Sequence, residues 1–173
     1  YLEYVDDPEY PDGIEEYAKR GHAVLVLRTF SKIYGLAGLR VGYGVGPESV
    51  VTAIGKVRRA FDVTTAGQEA ALASLGEAAE VARRRRVNRE AMRLLERALR
   101  EQGHEPVGPA VANFLFVEVG EDAAALNDAL LRRGVIVRPM GAFGAPQALR
   151  ITAGTPDEIA FFADALAAAQ AKV

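Results

Sequence analysis

Lys32 ends an apolar run, with hydroxyls three residues and one residue before it, Thr29 and Ser31, and an arginine eight residues after it, Arg40. Only four lysines, Lys19, Lys32, Lys56 and Lys172, stand against seventeen arginines, so a lysine in this apolar setting is not there merely for solubility. A primary amine condenses with a carbonyl when it is partly deprotonated, and burial near a second cation lowers its pKa. Arg40 could be that cation. It could also work with Thr29 and Ser31, since two hydroxyls and a planar guanidinium fork suit a phosphate dianion. Together these side chains describe a site for a carbonyl compound that carries a phosphate, and pyridoxal 5'-phosphate is the obvious candidate.

The longer segment carries more information than the lysine alone. Thr29-Phe-Ser-Lys32, followed by Gly35-Leu-Ala-Gly-Leu-Arg-Val-Gly-Tyr43, resembles the cofactor-lysine segment of fold-type I aminotransferases, within them the histidinol-phosphate aminotransferase branch. The resemblance runs in order along essentially the whole chain, as the carboxy-terminal half of a longer enzyme. It implies that Lys32 carries pyridoxal phosphate covalently and that Thr29, Ser31 and Arg40 bind the phosphate. Tyr1 matches a tyrosine that hydrogen-bonds the cofactor's phenolic oxygen in that family. The aspartate that pairs with the pyridine nitrogen would lie three residues before Tyr1, so activity is expected to need an amino-terminal half.

Two arginines further along match the same branch. Arg150 lies in Leu149-Arg-Ile-Thr152, an apolar strand pattern where an unpaired charge is costly. It resembles the arginine that grips a substrate carboxylate with a bidentate fork, and a structural salt bridge is the other reading of it. Arg138, in Val135-Ile-Val-Arg-Pro-Met140, resembles a second arginine that faces the charged end of the substrate. Asn113 matches a motif of the branch and is assigned only to pocket or turn structure, while His22 and His104 have no partners at catalytic spacing.

What the resemblance implies is a pyridoxal-phosphate-dependent aminotransferase acting in histidine biosynthesis. It would interconvert histidinol phosphate and 2-oxoglutarate with imidazole-acetol phosphate and glutamate, as a cytoplasmic homodimer with sites at the subunit interface. An aromatic-amino-acid aminotransferase and a phosphothreonine-type decarboxylase share the lysine segment and stay open as alternatives. The aminotransferase-like effector domain of a transcription regulator is a more distant one. Composition excludes other classes more directly. The chain has 173 residues, 50% hydrophobic and 25% charged, with a net charge of −2, which suits a globular fold and favours neither nucleic acid nor an anionic membrane. It has no cysteine, which removes disulfides and thiolate metal sites, and no metal is expected. No apolar run approaches a membrane span.

The elements that must position these residues follow from periodicity. Tyr1 to Val5 reads as the tail of a strand, and Ile14 to Lys19 as a short helix. Ala23 to Arg28 reads as a strand buried on both faces of a parallel sheet, so that Lys32 sits just past a strand's carboxyl end, where open α/β sheets place ligands. Val41 to Val45 begins the next strand. Helices are expected over Pro47 to Arg59, over Ala66 to Leu75 with Thr65 as cap and Gln68 as capping-box partner, and over Glu77 to Gln102. The four arginines Arg83 to Arg86 read as a solvated helix face, with Glu80–Arg84 and Glu96–Arg100 as i,i+4 pairs. Beyond lie strands at Asn113 to Val119, Gly134 to Arg138 and Leu149 to Thr152, with helices at Asp122 to Arg133 and Pro156 to Ala171. The fold class is α/β: residues 1–78 belong to the large cofactor-binding domain and 79–173 to a small carboxy-terminal domain, joined by the long helix.

Overall fold

The computed structural model describes residues 1–120 and 123–171. Two compact units divide it, Tyr1–Arg84 and Arg85–Val173.

In the first unit Leu2–Tyr4 form a 3-10 turn, which corrects the strand expected there. The amides of Tyr4 and Val5 donate to the carbonyls of Tyr1 and Leu2 at 3.0 and 2.9 Å, so these backbone donors are used locally rather than across a ladder. Ile14–Ala18 make a single π-turn. Strand β1 (Val26–Thr29) pairs antiparallel with β2 (Gly42–Val45), Val26 facing Val45 and Thr29 facing Gly42. The doubly buried parallel strand is therefore corrected too: Leu27 is 72% exposed. The connection from Phe30 to Val41 is a closed turn instead of a crossover, and a closed turn returns the chain antiparallel. Gly42 permits the pairing, because a Cβ there would sit 2.7 Å from the Arg28 carbonyl.

Helix α1 spans Glu48–Val57 and α2 spans Thr65–Leu75. The cap of α2 is Thr64, one residue earlier than expected: its hydroxyl accepts from the Gly67 amide at 3.0 Å. Gln68 makes no capping box, since its side-chain amide donates to the Val63 carbonyl. Two adjacent threonines look alike in sequence, and only backbone geometry selects the one with extended dihedrals. Phe30, Val41 and Ala71 form a small core joining β1, β2 and α2, with Tyr34, Leu36 and Val63 against it.

Helix α3, Ala78–Glu101, runs through the division between the units. In the second unit its Ala91, Leu95 and Leu99 recur every four residues and are buried, the stripe by which an amphipathic helix covers a core. Strands β3 (Pro106–Val107), β4 (Phe114–Glu118), β5 (Arg138–Pro139) and β6 (Ala148–Thr152) make an antiparallel sheet in the order β3-β4-β6-β5. Helices α4 (Ala123–Leu131) and α5 (Pro156–Gln170) complete the unit. Asp122, the expected start of α4, lies outside the described residues.

Alternation assigns the sheet's two faces. Leu115, Val117, Leu149 and Ile151 join the cluster built with Leu95, Leu130, Phe162 and Leu166. Phe114, Phe116, Arg150 and Thr152 take the opposite face. The strand expected over Gly134 to Arg138 shrinks to its last residue plus Pro139, because the Val135 amide closes α4 onto the Leu130 carbonyl at 3.0 Å. Helix α5 starts with a full capping box: the Glu158 amide donates to the Thr155 hydroxyl, the Glu158 carboxylate accepts the Thr155 amide, and Pro156 follows the cap.

Candidate active site

Lys32 stands in the turn after β1. Its backbone is held on several sides: the Lys32 carbonyl accepts the Gly35 amide at 2.8 Å, the Phe30 carbonyl accepts Leu36 at 3.0 Å, and the Phe30 amide donates to Val41 at 3.1 Å. The Ile33 side chain is 2% exposed and anchors the same turn. The Lys32 amine is half-buried and stands 5.1 Å from the centre of the Tyr1 ring. It makes no ion pair or hydrogen bond among the described residues. An ammonium over an aromatic face keeps some favourable field while leaving its nitrogen available for bonding.

The two hydroxyls differ in their duties. Thr29 accepts the Ser31 amide at 3.1 Å, a local turn bond, whereas the Ser31 hydroxyl has no partner among the described residues. Arg40 occupies the left-handed region, φ 56° and ψ 47°, at the end of a 3-10 turn over Ala37–Leu39. That conformation is uncommon for a residue with a Cβ and is kept where surrounding structure enforces it. Here the enforcement is visible. Val41 is bonded to Phe30, and α2 presses from the other side at Gly67, where a Cβ would meet Val41 at 2.8 Å and the Leu39 carbonyl at 3.3 Å. One guanidinium nitrogen donates to the Ala37 carbonyl at 2.8 Å, and the rest of the fork is uncommitted among the described residues.

Aromatic and acidic groups surround the turn. Phe30 lies 5.0 Å from Tyr34 and 6.0 Å from Tyr43, centre to centre. Burial, reinforced by Glu3 and Tyr43, pushes the Tyr34 hydroxyl above its usual range. Tyr4 is raised mainly by burial and also by Tyr1 and Glu3, with Arg84 opposing.

In the second unit the two arginines are brought together. Arg138 and Arg150 face each other directly across β5 and β6. They share an open cavity of about 520 Å³ with Ile136, Phe143 and Thr152. The Arg150 guanidinium lies 4.9 Å from the Phe114 ring centre, and its buried Nε–H has no hydrogen-bond partner among the described residues. A buried charged donor left unpaired, opposite a second like charge, is expensive for the fold alone and suits a bound anion. The salt-bridge reading of Arg150 has no support here, since it has no carboxylate partner among the described residues.

Comparison with known proteins adds the lineage. The family model for aminotransferase class I and II matches residues 4–166. The chain belongs to this family. Relatives include a histidinol-phosphate aminotransferase of Akkermansia muciniphila, 46% identical over 91% of this chain and 42% of its own length. Another is histidinol-phosphate aminotransferase 1 of Cupriavidus pinatubonensis, 44% identical over 96% of this chain and 44% of its own. The chain thus spans less than half the length of these relatives. A solved structure of histidinol-phosphate aminotransferase from Sinorhizobium meliloti in complex with pyridoxal-5'-phosphate superposes with a TM-score of 0.89. It is 28% identical, with 99% of this chain and 47% of that one covered. A protein from Erwinia carotovora atroseptica described as a putative histidinol-phosphate aminotransferase also gives a TM-score of 0.89, at 28% identity over 99% of this chain and 49% of its own.

The class I and II aminotransferases depend on pyridoxal phosphate. The donor set here fits that group: an unpaired half-buried amine for its carbonyl, and the Ser31 hydroxyl with part of the Arg40 fork for its phosphate. Sequence reasoning passed over two residues of these neighbourhoods. Phe114 was only one apolar position of a strand, and strand pairing with β6 makes it a support for Arg150. Arg84 read as half of a surface ion pair, yet its Nη1 also donates to the Ile33 carbonyl at 2.8 Å, beside Lys32. The apolar face on which α3 carries its leucines gives no hint of that bond.

Proposed function

We propose that this chain carries the lysine-bearing half of a pyridoxal-phosphate-dependent histidinol-phosphate aminotransferase. The reaction exchanges the amino group of histidinol phosphate with the keto oxygen of 2-oxoglutarate, giving imidazole-acetol phosphate and glutamate. The observation that carries this reading is the Lys32 amine, half-buried against Tyr1 and free of other partners among the described residues, in a connection that also carries the Ser31 hydroxyl and the Arg40 guanidinium.

Bound pyridoxal phosphate supplies the electron sink that lets a proton leave the carbon bearing the amino group. Lys32 holds that group through its Nζ and, once displaced by a substrate amine, takes the proton from the substrate carbon at the same nitrogen and returns it on the other side of the reaction. Thr29, Ser31 and Arg40 hold the phosphate, and Tyr1 orients the phenolic oxygen. Arg150, with Arg138, grips the substrate anion, which is a phosphate in histidinol phosphate and a carboxylate in glutamate. A guanidinium fork accepts both, so one pair of arginines serves the two half-reactions. The identities of 46% and 44% to named histidinol-phosphate aminotransferases support this substrate over an aromatic amino acid.

The remaining parts of the proposal concern assembly. Residues 1–78 form part of the cofactor-binding domain and 79–173 the small domain, and the division of the chain inside α3 supports a boundary in that helix. Catalysis requires an amino-terminal half that supplies the carboxylate for the pyridine nitrogen, and the working enzyme is a cytoplasmic homodimer.

The test is borohydride trapping of the full-length protein incubated with pyridoxal phosphate, followed by peptide mass mapping across Lys19, Lys32, Lys56 and Lys172. A stoichiometric adduct on Lys32 alone is expected, together with glutamate formation from histidinol phosphate and 2-oxoglutarate. Labelling scattered over several lysines defeats the assignment. Release of carbon dioxide instead of amino transfer would make the protein a decarboxylase.

A further inference from the structure

We propose that Arg84 is a positioning residue for Lys32, fixing the lysine turn through the Ile33 carbonyl, and that Glu80 aims Arg84 at that carbonyl. The inference rests on reading Lys32 as the cofactor-bearing amine.

Three of the turn's backbone bonds come from its own neighbourhood, at Phe30 and Lys32. The fourth does not. The Ile33 carbonyl receives Arg84 Nη1 at 2.8 Å, from 51 positions away on α3. This carbonyl belongs to the Ile33–Tyr34 peptide, one unit past the peptide that follows Lys32, so holding it restrains the backbone by which the chain leaves the lysine. The Ile33 side chain is 2% exposed, so packing pins one end of this residue and a charged donor pins the other. Removing that donor leaves a shielded carbonyl without its charge-assisted partner, a larger loss than that of an exposed turn bond.

The surroundings are shaped around the fork. Gly35 adopts φ 74°, and a Cβ there would come within 3.0 Å of Arg84 Nη1. Arg84 Nε donates to Glu80 Oε1 at 2.7 Å, which turns the planar group so that Nη1 meets Ile33. Hydrogen bonds from Arg83 and Arg84 hold the Glu80 carboxyl down at about 2, so it stays ionised at any pH at which the protein works. Ile33, Tyr34, Ser74, Glu80 and Arg84 line a small open cavity of about 100 Å³ at this corner. Arg84 also acts on Tyr4, whose amide bonds to the Tyr1 carbonyl at 3.0 Å.

A lysine that must both hold a group and move a proton needs a fixed backbone, because small displacements of a reacting atom are costly in rate. A bridge that only stabilised α3 would need Glu80 and Arg84 but not Ile33. The extra bond separates the two roles.

The test compares Arg84→Met, Arg84→Lys and Arg83→Met in the full-length protein. Arg83 shares Glu80 but, among the described residues, has no bond to the turn. In cofactor-free protein, amide hydrogen exchange over residues 30–36 is expected to rise about tenfold in Arg84→Met, the effect of losing one charged hydrogen bond. In protein loaded with pyridoxal phosphate, the visible circular dichroism of the Lys32-bound chromophore is expected to change in the same variant. Arg84→Lys should fall between Arg84→Met and the parent, and Arg83→Met should match the parent. Unchanged exchange and dichroism in Arg84→Met overturn the proposal, as do equal changes in Arg83→Met. If Arg84→Met does not fold, Arg84→Gln and Glu80→Gln give the same two readings, and parent-like values in both overturn it. A parent protein that traps no adduct at Lys32 defeats the functional reading itself, whatever the exchange data say of the turn.

Discussion

Arg138 and Arg150 stand directly opposite each other across β5 and β6, two like charges in register on one face of a sheet. Sheets disfavour that pairing, and the buried, unpartnered Nε of Arg150 adds to its cost. Replacing Arg150 with Met, which fills similar space without charge, is therefore expected to leave the melting temperature unchanged or raise it. The same variant should lose about ten- to hundredfold in kcat/KM for both amino-group partners, as expected for a charge-assisted anion contact worth roughly 1.5–3 kcal/mol. A melting temperature that falls by several degrees would show that Arg150 serves the fold instead.

Arg40 offers a second separation of fold from site. Its left-handed backbone suits glycine, which carries no Cβ penalty there. Arg40→Gly should keep the turn and remove the fork, so thermal unfolding of the cofactor-free protein should stay close to the parent while pyridoxal phosphate affinity drops at least tenfold, the scale of one charge-assisted phosphate contact. Equilibrium dialysis measures the second quantity. Unaltered affinity would remove Arg40 from the phosphate site.

The cap of α2 can be tested with two neighbours. Thr64→Ala removes the hydroxyl that accepts the Gly67 amide and should cost about 1 kcal/mol in denaturant unfolding. Thr65→Ala, at an exposed first position of the helix, should cost much less. Equal losses would mean that the cap is shared.

Glu80 sets a pH window. Its folded pKa is lowered from the ordinary 4.5 to about 2, chiefly by hydrogen bonds from Arg83 and Arg84. A depressed carboxyl binds fewer protons folded than unfolded, so its contribution is complete above about pH 4.5 and is lost as pH falls toward 2. The difference in melting temperature between the parent and Glu80→Gln should accordingly shrink across that interval. Because Glu80 and its two arginine partners are all partly exposed to solvent, the difference should be small and should weaken with salt. A difference that is constant from pH 6 to pH 3 counts against the assignment.

Much was legible in the chain itself because it depends on neighbours in sequence. The alternation that turns Leu115, Val117, Leu149 and Ile151 inward, the α3 stripe of Ala91, Leu95 and Leu99, and the Thr155–Glu158 cap are local consequences of residue type and period. The Thr-Phe-Ser-Lys segment and the family it belongs to were legible for the same reason: the motif is contiguous. The direction of β1 was not. An apolar run of strand length burdens either a parallel or an antiparallel sheet equally, and the bonded return from Phe30 to Val41 decided between them.

Tertiary structure alone decided which side chains meet. Arg138 and Arg150 are separated in sequence by a turn and share one cavity because β5 lies against β6. Arg84 reaches Ile33 only because α3 passes the lysine turn, and the Tyr1 ring lies 5.1 Å from the Lys32 amine across 31 positions of the chain. Residue type and period act within a few positions of the chain, whereas a site is an arrangement of distant positions, and that arrangement is set by which buried faces pack together.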